Sequence, residues 1–108
     1  MPSKAAYRQL FGKAAPAPTT LTTNTSQTID HANTSVATVS NSSNVTYTFS
    51  NPEFLWTATI LASGAGIPTI SGSTLIGDGE YDPARNNRID IECLNPTGPV
   101  YHHTIINY

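Results

Sequence analysis

Residues 45–50 read Val45-Thr46-Tyr47-Thr48-Phe49-Ser50. Val45, Tyr47 and Phe49 share one phase of a two-residue period, and Thr46 and Thr48 share the other. A β-strand turns successive side chains to opposite faces, so this stretch is a strand with one apolar face and one hydroxyl face. β-branched and aromatic residues suit such a pleated, half-buried surface. Asn41-Ser42-Ser43-Asn44 before it is a cluster of turn formers. Asn51-Pro52 after it breaks the strand, because proline has no N–H to give to a ladder.

The same period recurs on both sides. Residues 19–29 are polar and Thr-rich, predicting an edge strand or an extended arm, and residues 36–39 predict a short strand. Phe54, Trp56, Ala58 and Ile60 alternate, with Leu55 and Leu61 on the other phase. This most apolar stretch predicts a central strand with Trp56 buried. Residues 62–66 predict a flexible turn. Residues 67–76 predict one or two short strands punctuated by Pro68 and Gly72, and residues 77–87 a long polar loop. Ile89, Ile91 and Cys93 then form an inward phase opposed by Arg88, Asp90 and Glu92. Residues 95–99 are a turn, and residues 100–108 a last strand. The expectation is an all-β fold, an antiparallel β-sandwich or small barrel of about seven or eight short strands. No internal repeat at a fixed period stands out.

Composition agrees. Thr, Ser and Asn make up 35 of 108 residues, whereas charged residues are 11% and the net charge is −2. Such a chain solubilises itself with hydroxyls and amides, and it lacks the low hydrophobicity with high net charge of disorder. No strong overall field favours nucleic acid. Cys93 is alone, which excludes an intrachain disulfide and predicts a buried small hydrophobe rather than a nucleophile. Residues 1–20 hold no apolar stretch of the roughly 7–15 residues a signal peptide needs. No run approaches the roughly 20 apolar residues of a membrane span. The expected place of synthesis is therefore a reducing cytoplasm, and the N-x-[ST] sequons at Asn24, Asn33, Asn41 and Asn44 read as by-products of composition.

The charge is unevenly placed. Lys4, Arg8 and Lys13 give +3 in the first thirteen residues, and the remainder carries −5. Tyr7, Leu10, Phe11 and Ala14 fall at i, i+3, i+4 and i+7, with Ser3 as N-cap and Gly12 as stop. That predicts a short helix, below the roughly 12–15 residues of marginal stability in water, which needs a surface to order its apolar face. Ala14-Ala15-Pro16-Ala17-Pro18 predicts an extended spacer. The organisation expected is an anchoring peptide at 1–13, a linker at 14–19 and a β domain at 20–108. The candidate partner-binding residues are Lys4, Tyr7, Arg8, Leu10, Phe11 and Lys13.

Candidates for chemistry are few. Asp78, Glu80 and Asp82 alternate as calcium ligands do, but the twelfth position counted from Asp78 is Ile89 rather than an acid, which favours a solvated turn over a metal site. His102 and His103 are adjacent, so a regular strand sends them to opposite faces and no one metal takes both. No serine sits in a G-x-S-x-G elbow, and Gly64-Ala65-Gly66 and Gly77-Asp78-Gly79 lack the lysine of a phosphate loop. The reading is non-enzymatic, with no cofactor and no metal.

With Lys4 to Lys13 as a binding peptide, a Thr-rich 19–28 and a β body over 45–108, the layout resembles β-rich bacteriophage virion accessory proteins. These are capsid decoration or cement proteins and head- or tail-fibre adaptors. The resemblance implies a structural virion protein that assembles as a homo-oligomer, with a trimer favoured. It also implies docking onto capsid or tail proteins through residues 1–18, without membrane or nucleic acid. The other function class is a carbohydrate- or receptor-binding β module, for which Trp56, Tyr81 or Tyr101 should be exposed as stacking platforms.

Overall fold

The computed structural model describes residues 19–30, 36–50, 57–95 and 100–108. The expected N-terminal helix, its Lys4, Tyr7, Arg8, Leu10, Phe11 and Lys13, the linker up to residue 18, and Trp56 all lie outside the described residues.

Those residues form nine strands and no helix: β1 (Thr19–Thr20), β2 (Gln27–Asp30), β3 (Val36–Ser40), β4 (Val45–Ser50), β5 (Thr57–Ser63), β6 (Pro68–Ile70), β7 (Ser73–Leu75), β8 (Asn87–Asn95) and β9 (Val100–Asn107). They build a six-stranded sheet of order β1-β3-β5-β8-β9-β7 and a three-stranded sheet of order β2-β4-β6. The all-β, two-sheet, sandwich-like expectation holds, but the antiparallel pairing does not. β1–β3, β3–β5, β2–β4, β4–β6 and β7–β9 pair parallel, and only β5–β8 and β8–β9 are antiparallel.

The physical reason is connectivity. From β1 to β7 successive strands enter alternate sheets, so each passage through one sheet serves as the crossover that parallel strands in the other require. The chain winds as a coil of three turns, β1–β2, β3–β4 and β5–β6. The β8–β9 hairpin then occupies the six-stranded sheet between β5 and β7. Register sets the turn lengths: Thr19 lies beside Ala37, Gln27 beside Tyr47, Val36 beside Thr59 and Val45 beside Pro68. Successive turns are therefore unequal in length, and no fixed period survives in the sequence.

Three corners of the coil stack on one another. In the first, Asn24 adopts φ 56°, a left-handed conformation that Asn tolerates. Its Oδ1 accepts the N–H groups of Ser42 (2.7 Å) and Ser43 (3.0 Å) in the second corner. Asn41 of that second corner returns the contact, its Oδ1 accepting the Asn24 N–H at 2.8 Å. The third corner closes on the second through Gly66 N–H to Asn41 O (2.9 Å) and Ile67 N–H to Asn44 Oδ1 (2.9 Å). The fit is close: a Cβ on Gly64 would lie 2.2 Å from Asn41 O, and one on Gly66 2.1 Å from Ser43 O. At the open end of this stack the Gln27 amide caps the first corner, donating to Thr22 O and Thr25 O at 3.0 Å each. Asn24, Asn41 and Asn44 therefore stand where the backbone needs side-chain partners; composition alone does not account for them.

One core lies between the sheets. Ala37, Ile60 and Ile89 form a buried cross-strand row, joined by the half-buried Ile105 of β9. Val45, Tyr47 and Ile70 close the core from the three-stranded sheet, and Tyr47 is fully buried. The Phe49 and Tyr101 rings meet across the sheets with centroids 5.0 Å apart. Each fully buried large apolar side chain contributes roughly 1.5–3 kcal/mol. Ile89, Ile91 and Cys93 are buried, as their phase predicts.

Candidate functional site

The long loop after β7 is ordered from within. Asn87, fully buried, donates from Nδ2 to Asp82 O (2.9 Å) and Arg85 O (3.0 Å), and its Oδ1 accepts the Asp82 N–H at 2.8 Å. Asn107 joins it, donating to Asn87 Oδ1 at 2.6 Å and to Glu80 O at 2.9 Å. The Asp82 carboxylate accepts the Ala84 N–H at 2.9 Å, a turn-forming role. Asp78, Glu80 and Asp82 are thus carried on a loop shaped by Asn87. Among the described residues no group of three or more His, Cys, Asp or Glu is placed to hold a metal ion.

A cleft of about 420 Å³ lies on the outward face of the six-stranded sheet. Val36, Thr59, Asp90 and Thr104 form one cross-strand row of its floor, and Thr57, Glu92 and His102 the next. Ile76, just past β7, and Arg88 also line it. The polar residues of these rows are on the strand phase opposite the buried one, and Ala58, Ile91 and His103 of the other phase also border the cleft.

Its charges are arranged unevenly. Asp90 Oδ2 pairs with Arg88 Nε at 3.0 Å, and Asp90 Oδ1 accepts the Thr59 hydroxyl at 2.7 Å. Both side chains of the ion pair are substantially exposed, so water screens it. Glu92 sits between Thr57 and His102 in the register, and among the described residues no hydrogen bond or ion pair engages its carboxylate.

The two histidines alternate along β9, yet both border the cleft. His102 faces the cleft beside Glu92. His103 takes the other phase, its Nδ1 within 2.6 Å of Ser73 Oγ, joining β9 to β7. Burial lowers the His103 pKa from its ordinary value. Cys93 is a free, fully buried thiol.

Of the stacking platforms expected for a sugar module, Tyr101 is buried and Tyr81 donates its hydroxyl to Gly64 O at 2.9 Å. Of the residues that line the cleft, His102 stood out in the sequence only as half of a histidine pair, and Thr57, Thr59, Asp90, Glu92 and Thr104 did not stand out as a site. They come from three strands spread over nearly fifty residues, and only their alternation with buried neighbours marks them. Among the described residues no helix is long and apolar enough to cross a membrane, which says nothing of strands. The chain matches no family model, no curated protein and no solved structure.

Proposed function

We propose that this chain is a structural subunit of a larger particle, a virion decoration, cement or fibre-appendage protein, which docks through Lys4, Tyr7, Arg8, Leu10, Phe11 and Lys13. The observation that carries the reading is the open end of the coil. Among the described residues β6 and β7 are the last strands of their sheets, so no described strand pairs with their outer edges. Ile67, Leu75 and Ile76 are exposed beside them, at 44%, 40% and 45%. The segment Ser73-Thr74-Leu75-Ile76-Gly77 carries no charge, and charge is what usually guards an edge against pairing. Such an edge suits a homo-oligomer, and a trimer accords with the resemblance to virion accessory proteins. The test is to assemble particles with the full chain and with a chain lacking residues 1–18, using circular dichroism to confirm that both fold. The account expects the shortened chain to keep its strand signal and lose attachment; unchanged attachment would overturn it.

The outward cleft favours a second reading, a carbohydrate- or receptor-binding module. It offers threonine hydroxyls with Glu92 and His102, though without Tyr81 or Tyr101 as platforms. Glycan-array binding abolished by Glu92→Gln would support it, and an array without signal would set it aside.

A further inference from the structure

We infer that the outward cleft seats the chain's own basic segment, residues 3–13, before that segment docks elsewhere; this rests on the docking role proposed above. Charge is the first argument. Lys4, Arg8 and Lys13 carry +3, whereas the described body holds Asp30, Asp78, Glu80, Asp82, Asp90 and Glu92 against Arg85 and Arg88, a balance of −4. Within the cleft Arg88 answers Asp90, and no described residue answers Glu92. Among the described residues the surplus at the floor is therefore one negative charge, placed beside His102 and Thr57.

Chemical match is the second argument. Val36 in its floor and Ile76 beside it give the cleft apolar surface, and Ile76 is 45% exposed. A segment whose sequence carries Tyr7, Leu10 and Phe11 with Arg8 among them and Lys4 and Lys13 on either side suits a cleft that offers apolar surface beside an acidic floor.

Reach is the third argument, and it selects the chain's own segment over a partner's. The chain enters β1 at Thr19, whose register partner Ala37 adjoins Val36, a floor residue of the cleft. β1 lies three strands from β8 in the same sheet. At about 4.8 Å per strand that is roughly 14 Å. Residues 14–18, extended at about 3.3 Å each, span roughly 16 Å. Lys13 can therefore stand over Asp90 and Glu92 without leaving its own molecule.

The experiment places a photo-crosslinking benzoylphenylalanine at position 7 or 11 of the full chain. It mixes copies with and without ¹⁵N and maps the products by mass spectrometry. The expected result is crosslinks to β5, β8 and β9 residues of the cleft within one copy. Glu92→Lys should lower their yield about two- to fivefold, the scale of one solvent-exposed ion pair. Crosslinks confined to another face, crosslinks between isotopically distinct copies, or none at all would overturn the inference. Because the isolated chain is used, this failure is separable from that of the docking role. Attachment lost on removing residues 1–18 would still stand if the cleft proved empty.

Discussion

Asn41→Ala should be among the most damaging single changes at the corners, and its cost follows from the two side-chain bonds it removes. Asn41 is 2% exposed. Its Nδ2 donates to the hydroxyl of the fully buried Tyr47 at 3.0 Å, and its Oδ1 accepts the Asn24 N–H at 2.8 Å. Its backbone holds the third corner through Ser63 O (3.0 Å) and the Gly66 N–H (2.9 Å). Alanine keeps the two backbone bonds and removes the two side-chain bonds. Stranding the buried Tyr47 hydroxyl costs about 1–3 kcal/mol, and losing the part-exposed Asn24 bond about 0.5–1.5 kcal/mol. The total is roughly 2–4 kcal/mol. With a urea slope of about 2 kcal/mol per molar, the unfolding midpoint should fall by roughly 1–2 M. Tyr47→Phe made alone and in combination closes a double-mutant cycle, and the pair should be less costly than the sum of the singles by at least about 0.5 kcal/mol. A loss below about 0.5 kcal/mol for Asn41→Ala, the value of an ordinary surface site, would refute the stacked-corner geometry.

Other outcomes follow from the same contacts. Gly66→Ala, which drives a Cβ to 2.1 Å from Ser43 O, should cost about 1–3 kcal/mol in the same urea assay. Gly72→Ala meets nothing within 4 Å and should cost only its left-handed strain at φ 71°, about 1–2 kcal/mol. Cys93, fully buried, should react with a thiol reagent in the native protein far more slowly than in urea, and native labelling at the unfolded rate would contradict its place in the core. His103 has a folded pKa lowered by burial, so its neutral form is the one the fold prefers. Its contribution is complete above the unfolded value of about 6.5 and declines as pH falls from there toward the folded value. The loss of urea midpoint between pH 7.5 and 5 should therefore be smaller in His103→Gln than in the parent, and an equal loss would contradict this.

Much of the strand pattern was legible because alternation reports burial directly. Val45/Tyr47 and Ile89/Ile91/Cys93 show it in one line of text, and Asn41-Ser42-Ser43-Asn44 marks a corner by composition alone. Strand direction was not legible. A half-buried strand alternates in the same way whether its neighbour runs parallel or antiparallel, so Val36–Ser40 and Thr57–Ser63 gave no sign that they lie side by side in one sheet with β4 in the other. Unequal coil turns hid the repeat for the same reason that they are tolerated: the corners are fastened by Asn24, Asn41 and Asn44, and no constant spacing is needed. The sequons drew attention to those asparagines for the wrong chemistry. The cleft was the least visible feature, since Glu92 and His102 meet only through the β8–β9 register. The 78–82 acids stood out more and proved to belong to a loop held by Asn87 and Asn107.

The proposed docking turns on residues 1–13 binding through Tyr7, Leu10 and Phe11. The most direct measurement is co-sedimentation with the assembled particle of the full chain and of a full-length variant with Tyr7, Leu10 and Phe11 all changed to alanine. Both must first show the same strand signal. If the account is right, the variant remains folded in the supernatant while the parent pellets with the particle. A folded variant that pellets as well as the parent would contradict it.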